Sequence, residues 1–540
     1  MGQDKSDNAN DVLWDIRDYL NENNKSLKDV FKDLDDDENK KISVEEFREG
    51  LLKLEIANLT ETAVDNLVST LDENGDGEIN LKEFKSAYKD DLPTKIVNPE
   101  GFSSKNVSEY TSIVTCDMEG RIETYNEGAS QIFGYSPEET IGKLRVSKFS
   151  PGRVVLGHVA NWLKTASTEG KFEGDTTFVH KDGTLIPAHV EITPTFKTVD
   201  GTKTQIGYCG KTRIIDKDPL ETMPEEPWWV TPLTWVAITR APFVVATWMP
   251  ILFAMVWAFN GGIENLSWDV GFSLPLFILV FVGGTTLHLS ANVFNDYFDW
   301  QSGVDQANND YFLQYSGGSR AIELELITEK GLFNLGTIFV GIAALCGVAL
   351  MFGPWAAGLD LLIYAGIGAL GGYFYTAPPL KLVARSGLGE LSIGLLFGPL
   401  LTMGTVYGFS GTHSFDAFLI GIPLGLLTTA ILWINEFPDT PTDIETGKIH
   451  LVAALGVENA RWGYLGLMVL AYLSTILLAV NDITGMDTLL VLITAPGAAW
   501  LTYRLFQDYQ SRDLVSTNIS TIGLQAVTGL LFIIGSCELF

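Results

Sequence analysis

FSLPLFILVFVGGTTLHLSANVFNDYFDWQSGVD, residues 272–305, is an apolar run that ends in acids. Up to Phe294 it holds no Asp, Glu, Lys or Arg, and at about 1.5 Å per helical residue it is long enough to cross the roughly 30 Å hydrocarbon core of a bilayer. It then delivers Asn295, Asp296, Asp299 and Asp305. A second run, 416–435, ends the same way, in Asn435, Glu436, Asp439 and Asp443. Carboxylates at a membrane boundary are costly, so a cluster on two separate segments is by default functional. Asn295 and Asp299 are four apart, as are Asp439 and Asp443, which puts each pair on one face of a helix. Two oxygen-rich faces suit hard cations, and magnesium bound by few carboxylates completes its shell with water and substrate phosphates. The expectation is a magnesium diphosphate site; solvated loop acids without a ligand are the plain alternative.

Working outward, the chain of 540 residues divides by composition. Residues 1–226 are charged and mostly polar, whereas 227–540 hold long apolar runs. Nine of these are near span length: 233–258, 271–294, 333–352, 358–377, 388–409, 416–435, 461–480, 486–505 and 518–538. The predicted membrane half is therefore an all-α nine-helix bundle with its ends on opposite sides. Arg320 and Lys330, Lys381 and Arg385, Lys448 and Arg461, and Arg504 and Arg512 fall on alternate connections. The positive-inside rule then places the N-terminal half and both acidic motifs in the cytoplasm and Phe540 across the membrane. The opening MGQDKSDNAN lacks the apolar core of a cleavable signal. A formal charge of −30 excludes nucleic acid as a partner. Cys116, Cys209, Cys346 and Cys537 have neither a metal-like spacing nor the pattern of a disulfide framework.

Two twelve-residue frames, DDDENKKISVEE (35–46) and DENGDGEINLKE (72–83), begin with Asp and end with Glu. In the second, Asp72, Asn74, Asp76, the Glu78 carbonyl and Glu83 supply oxygens for calcium, while Gly77 makes the turn and Ile79 links to the partner loop. The first offers Asp35, Asp37, Asn39, Ser43 and Glu46, with Lys41 at the position matching Glu78 and Ile42 at the pairing position. Lys40 stands where the turn favours Gly. Residues 10–90 resemble an all-α EF-hand pair.

From 101 to 217 the pattern changes to short strands and helices, with a Gly turn at Gly120, GYSPEETIGK, and the hairpin HKDGTLIPAHVEI. This stretch is similar to an α+β PAS domain. The resemblance implies a packing or self-association module, and it makes His158 the candidate ligand should the domain hold haem. Residues 218–230 then read as a linker into a membrane domain over 231–540.

NDYFDWQSGVD and NEFPDTPTDIETGKIHLVAALG resemble the paired Asp-rich motifs of the UbiA superfamily of intramembrane prenyltransferases. They are most similar to those of the 1,4-dihydroxy-2-naphthoate polyprenyltransferases. TRAPF (239–243), SGGSRAI (316–322), YTAPPLKL (375–382) and GLGELSIGLLFGPLLTMGT (387–405) accompany them in order. The resemblance implies magnesium on Asp296, Asp299, Asp305, Asp439 and Asp443, with Asn295 beside them. Arg240, Arg320, Lys381, Arg385 and Lys448 are the candidate diphosphate partners, and Tyr375 the aromatic face for a carbocation. The partners expected are a prenyl diphosphate, an aromatic acceptor and the lipid bilayer. Asn295, Asp299 and Asp305 resemble the naphthoate enzymes in their six-residue Asp spacing, rather than many 4-hydroxybenzoate enzymes with a four-residue one, and that resemblance implies a naphthoate acceptor. Pro438, His450 and Ala454 depart from the naphthoate pattern, so a terpene cyclase that needs no acceptor stays open, as does a membrane sensor that has lost catalysis.

Overall fold

The structure, a computed structural model, describes residues 41–43, 46, 78–80 and 110–537, apart from 200–201, 270, 308–317, 355–356 and 512. Contacts divide it into two compact units. One ends at Gly142 and resumes over Thr165–Pro224, and the other takes Lys143–Lys164 and Glu225 onward.

In the first unit, strands β1 (Lys41–Ser43) and β2 (Glu78–Asn80) pair antiparallel, with Ile42 opposite Ile79. Ile42 is fully buried. The two frames therefore meet at the position expected of paired calcium loops. Glu46 Oε2 accepts from the Ser43 N–H at 2.9 Å and from its hydroxyl at 2.8 Å. Asp35, Asp37, Asn39, Asp72, Asn74, Asp76 and Glu83 lie outside the described residues.

The rest of this unit is built on a five-stranded antiparallel sheet of β3 (Thr111–Asp117), β4 (Ile122–Tyr125), β5 (Phe172–Val179), β6 (Leu185–Val199) and β7 (Thr202–Ile214), in the order β4-β3-β7-β6-β5. Alternation drives it: Val114 and Cys116 on β3 are buried while Ile113 faces out. Helix α1 (Glu127–Phe133) starts at Asn126, whose Oδ1 accepts from the N–H of both Ala129 and Ile113 and so pins the helix to β3. Burial pushes the Cys116 thiol up to about 12, which leaves it without thiolate at neutral pH. Pro219–Thr222, in the stretch expected to be linker, forms a helical turn that closes on β5, with Thr177 and Thr222 hydroxyls 2.8 Å apart.

The second unit is helical: α2 (Val230–Thr239), α3 (Val245–Phe259), α4 (Leu274–Gln301), α5 (Glu329–Phe352), α6 (Leu361–Thr376), α7 (Leu388–Phe397), α8 (Pro399–Ser410), α9 (Phe415–Glu445), α10 (Leu451–Leu455), α11 (Val457–Val480), α12 (Ala495–Asp508) and α13 (Leu514–Gly535). Eight segments among the described residues are long and apolar enough to cross a membrane, and α6, of 16 residues, is a shorter ninth. Together they match the nine runs delimited from sequence. Helix α9 is the axis of the core: Leu424, Leu427, Ala430 and Ile434 pack with Phe253 of α3, Tyr464 of α11 and Phe532 of α13. The expected first span is two pieces, because Arg240 takes a left-handed conformation (φ 52°) at the end of α2 and Pro242 follows it. Helices α7 and α8 part at Gly398, where a Cβ would come within 2.5 Å of the Gly421 carbonyl oxygen, so only glycine lets this bend lie against α9.

Candidate functional site

Both acidic motifs fall at the C-terminal ends of long helices, Asn295, Asp296 and Asp299 on α4 and Asn435 to Asp443 on α9. A helix C-terminus carries a partial negative charge, so acids placed there are doubly unfavourable until cations join them. The structure supplies some. Lys448 Nζ lies 3.3 Å from Asp299 Oδ2 and 3.8 Å from Asp443 Oδ2, bridging the two motifs. Burial works against its charge, but Asp299, then Asp443 and Asp439, lift the Lys448 pKa well above the usual lysine value. Arg240 Nη1 stands 3.7 Å from Asp296 Oδ1.

The two motifs are braced by other parts of the fold. Asp296 accepts the Ser319 N–H at 3.3 Å, an approach allowed by Gly318 (φ 79°): a Cβ there would lie 3.1 Å from Asp296 Oδ1 and 3.2 Å from Asp305 Oδ1. The Thr376 hydroxyl donates to Asn295 Oδ1. On α9, Pro438 lacks the N–H that would bond the Ile434 carbonyl. Asn518 of α13 reaches that carbonyl with its Nδ2 at 3.4 Å and the Asn435 Oδ1 at 2.8 Å.

Between the motifs lies a cavity of about 90 Å³, lined by Asp299, Asp305, Asp439, Asp443 and Glu436 with Arg240, Lys448, Asn295, Asn435, Tyr375 and His450 among its walls. It adjoins an apolar cavity of about 540 Å³ between α3, α4, α5, α6, α7 and α8, and Arg240, Asn295, Tyr375, Leu432 and Asn435 line both. One end is therefore shaped for a charged head and the other for a long hydrocarbon.

The donor set fits magnesium. Its acidic donors are oxygen, and among the described residues five carboxylates face two cations, a deficit that two divalent ions would turn into a small positive surplus fit to admit a diphosphate. The carboxyl of Asp305 shows the strain: burial, and then the charge of Asp299, push it well above the usual carboxylate range against the pull of Arg320.

Not every residue singled out from sequence lines this cavity. Arg320 is buried, and its Nη1 donates to the Asp305 carbonyl and lies 3.1 Å from Glu323 Oε2. It holds the loop bearing Asp305. Asp296 likewise faces Arg240 and Ser319. Lys381 and Arg385 are exposed, and Arg385 donates to the carbonyls of Leu380 and Pro379. His158 stacks on Trp162 with centroids 5.9 Å apart, and its Nε2 lies 3.1 Å from the Glu225 carbonyl. In the other direction, sequence reasoning passed over Ser319, Thr376, Asn518 and Glu390. Only Glu390 carried a signal, as a lone acid entering an apolar run.

The UbiA prenyltransferase family model matches residues 247–521, an EF-hand domain pair matches 24–89 and a PAS domain matches 111–209. A UbiA prenyltransferase domain-containing protein 1 from Dictyostelium discoideum is 29% identical over 36% of this chain and 58% of its own length. The 1,4-dihydroxy-2-naphthoate octaprenyltransferase of Bacillus subtilis (strain 168) is 24% identical over 55% of this chain and 90% of its own. The solved structure of a UbiA homologue from Archaeoglobus fulgidus bound to DMAPP and Mg2+ covers 57% of this chain and 100% of that chain, at 12% identity and a TM-score of 0.41.

Proposed function

Since the chain belongs to the UbiA prenyltransferase family and is a prenyltransferase, we propose that it transfers a polyprenyl group from an allylic diphosphate to an aromatic acceptor of the dihydroxynaphthoate kind, as its naphthoate relatives' name suggests. The observation that carries this is the junction of the acid cavity with the apolar one at Arg240, Asn295, Tyr375, Leu432 and Asn435.

The tail lies in the apolar cavity, which keeps water from the reacting carbon. The head lies between the motifs, with Lys448 and Arg240 as its direct cationic partners. Asp299, Asp305, Asp439 and Asp443 would hold magnesium, which when bound would supply charge neutralisation for the departing diphosphate. Asp296 and Arg320 position these acids from behind. Tyr375, at the junction, offers its ring to the allylic cation. As the C1–O bond to the diphosphate breaks, a ring carbon of the acceptor bonds to C1 of the prenyl group and gives up its proton to the departing diphosphate. The test is product analysis by mass spectrometry with geranylgeranyl diphosphate, magnesium and 1,4-dihydroxy-2-naphthoate. A prenylated naphthalene is expected; a cyclic hydrocarbon formed without acceptor would establish the cyclase instead.

We further propose that both motifs face the cytoplasm with the N-terminal half, that the PAS segment packs or self-associates, and that calcium at the paired loops modulates turnover. Support for coupling comes from Lys143–Lys164, which lies within the PAS-like sequence yet clusters with the membrane helices. Gly152 approaches the Leu324 carbonyl so closely that a Cβ would lie 1.8 Å from its oxygen, and the Leu324 N–H bonds the Arg320 carbonyl at 2.9 Å. Turnover is expected to change between calcium-loaded and calcium-chelated protein; equal rates refute the modulation.

A further inference from the structure

At one wall of the cavity between the motifs is a group of buried polar side chains: Glu436, His450 and Tyr375 line the cavity, and Glu390 adjoins Glu436 and His450. Glu390 at the start of α7, Glu436 on α9 and His450 ahead of α10 are 3%, 6% and 1% exposed. Each brings a carboxylate oxygen or ring nitrogen within 4.8 Å of the others. Glu390 spends Oε1 on the Leu451 N–H, but its Oε2 has no hydrogen-bond partner. Both oxygens of Glu436 and the hydroxyl of Tyr375 are buried and equally without one among the described residues. Unpaired buried polar atoms gathered at one cavity wall point to something that pairs them.

The chemistry of that something follows from the donors and acceptors present. The two carboxylates repel a phosphate and invite an O–H or a cation. A cation bridging the three residues would need the nitrogen of His450 that faces Glu436. That atom is Nδ1, 3.5 Å from Glu436 Oε2, and it already accepts the Ala453 N–H at 3.1 Å as the cap of α10. The other nitrogen, Nε2, lies 3.4 Å from Asp443 Oδ2. An O–H donor meets no such conflict. Leu432 and Val383 add apolar wall to the same cavity, and Tyr375 and Leu432 also border the tail cavity. Such a wall suits an apolar group that carries hydroxyls, next to the cavity that takes the prenyl chain.

We propose that Glu436, backed by Glu390, and the Tyr375 hydroxyl form the recognition subsite for the hydroxyl groups of a hydroquinone-type acceptor. This rests on the transferase reading. The subsite would explain why a ring bearing free hydroxyls is selected, because a carboxylate that loses its only O–H partner is left buried and unpaired.

The test uses the full chain in nanodiscs with magnesium, an unreactive geranylgeranyl thiolodiphosphate, and 1,4-naphthohydroquinone or its dimethyl ether under argon, and reads dissociation constants by calorimetry. The diol is expected to bind and the diether not. Glu436→Gln should weaken diol binding by about 10- to 150-fold, the worth of one hydrogen bond to a charged group. Retained binding of the thiolodiphosphate, at whatever affinity, shows that the variant is folded. Unchanged diol affinity in Glu436→Gln, equal binding of the diether by the unmodified protein, or a bound divalent ion lost on Glu436→Gln would each overturn the subsite. Failure of the unmodified protein to bind any diol, with thiolodiphosphate bound, would overturn the transferase reading as well.

Discussion

The two acidic motifs end two long helices in the same way, yet their surroundings differ. On α4, Asn295 is held by Thr376 and Asp296 by Arg240 and Ser319, so two of the first motif's four polar side chains are committed to the scaffold. On α9, Asn435 is committed to Asn518, but neither oxygen of Glu436 has a hydrogen-bond partner among the described residues. A braced motif suits a fixed metal geometry, since partners behind a ligand orient it. A carboxylate without a hydrogen-bond partner beside a braced amide suits a second substrate. On the proposed reading Asp439 and Asp443 share the metal site with the first motif, and Glu436 alone is left for the acceptor.

The comparison breaks first at the acids that line the cavity. Asp299→Asn is expected to lower kcat by about 10³-fold or more, because the metal supplies several kcal/mol of charge stabilisation. Steady-state turnover at saturating magnesium checks it, and a loss under tenfold would remove Asp299 from the metal site. Next comes Lys448→Met, which leaves Asp299 and Asp443 without their shared cation and should cost about 3 kcal/mol of stability. Magnesium should recover much of that loss in a melting experiment, whereas an unchanged melting point would deny Lys448 its bridging role. Arg240→Met should weaken binding of geranylgeranyl thiolodiphosphate about 10- to 150-fold, the worth of one hydrogen bond to a charged group, as read by calorimetry. Last, Asn518→Leu leaves the Ile434 carbonyl and Asn435 unpaired and should cost about 1 kcal/mol, with little effect on magnesium affinity.

The sequence made the bundle legible because apolar runs of span length are hard to mistake, and both motifs stood out as acids at their ends. It also located the calcium-loop pairing through Ile42 and Ile79, and the PAS-like hairpins through Gly120 and Gly183. Position along the chain could not tell which side of a loop meets the cavity. Lys448 and Arg385 both follow span ends, but one bridges Asp299 and Asp443 while the other is tied to the carbonyls of Leu380 and Pro379. Partners far apart in sequence were invisible for the same reason. Asn518 is 84 residues from the Ile434 carbonyl it serves. The departure at Pro438 acquires a physical sense only once Asn518 is seen to replace the missing backbone bond.

The central claim is that the two motifs act as one metal site for a diphosphate. Electron paramagnetic resonance of manganese, used in place of magnesium, can count the ions bound per chain in the presence of geranylgeranyl thiolodiphosphate. The account predicts two ions in the unmodified protein, bound only weakly without the thiolodiphosphate, and a loss of binding in both Asp299→Asn and Asp443→Asn. Full manganese binding in either variant would contradict it.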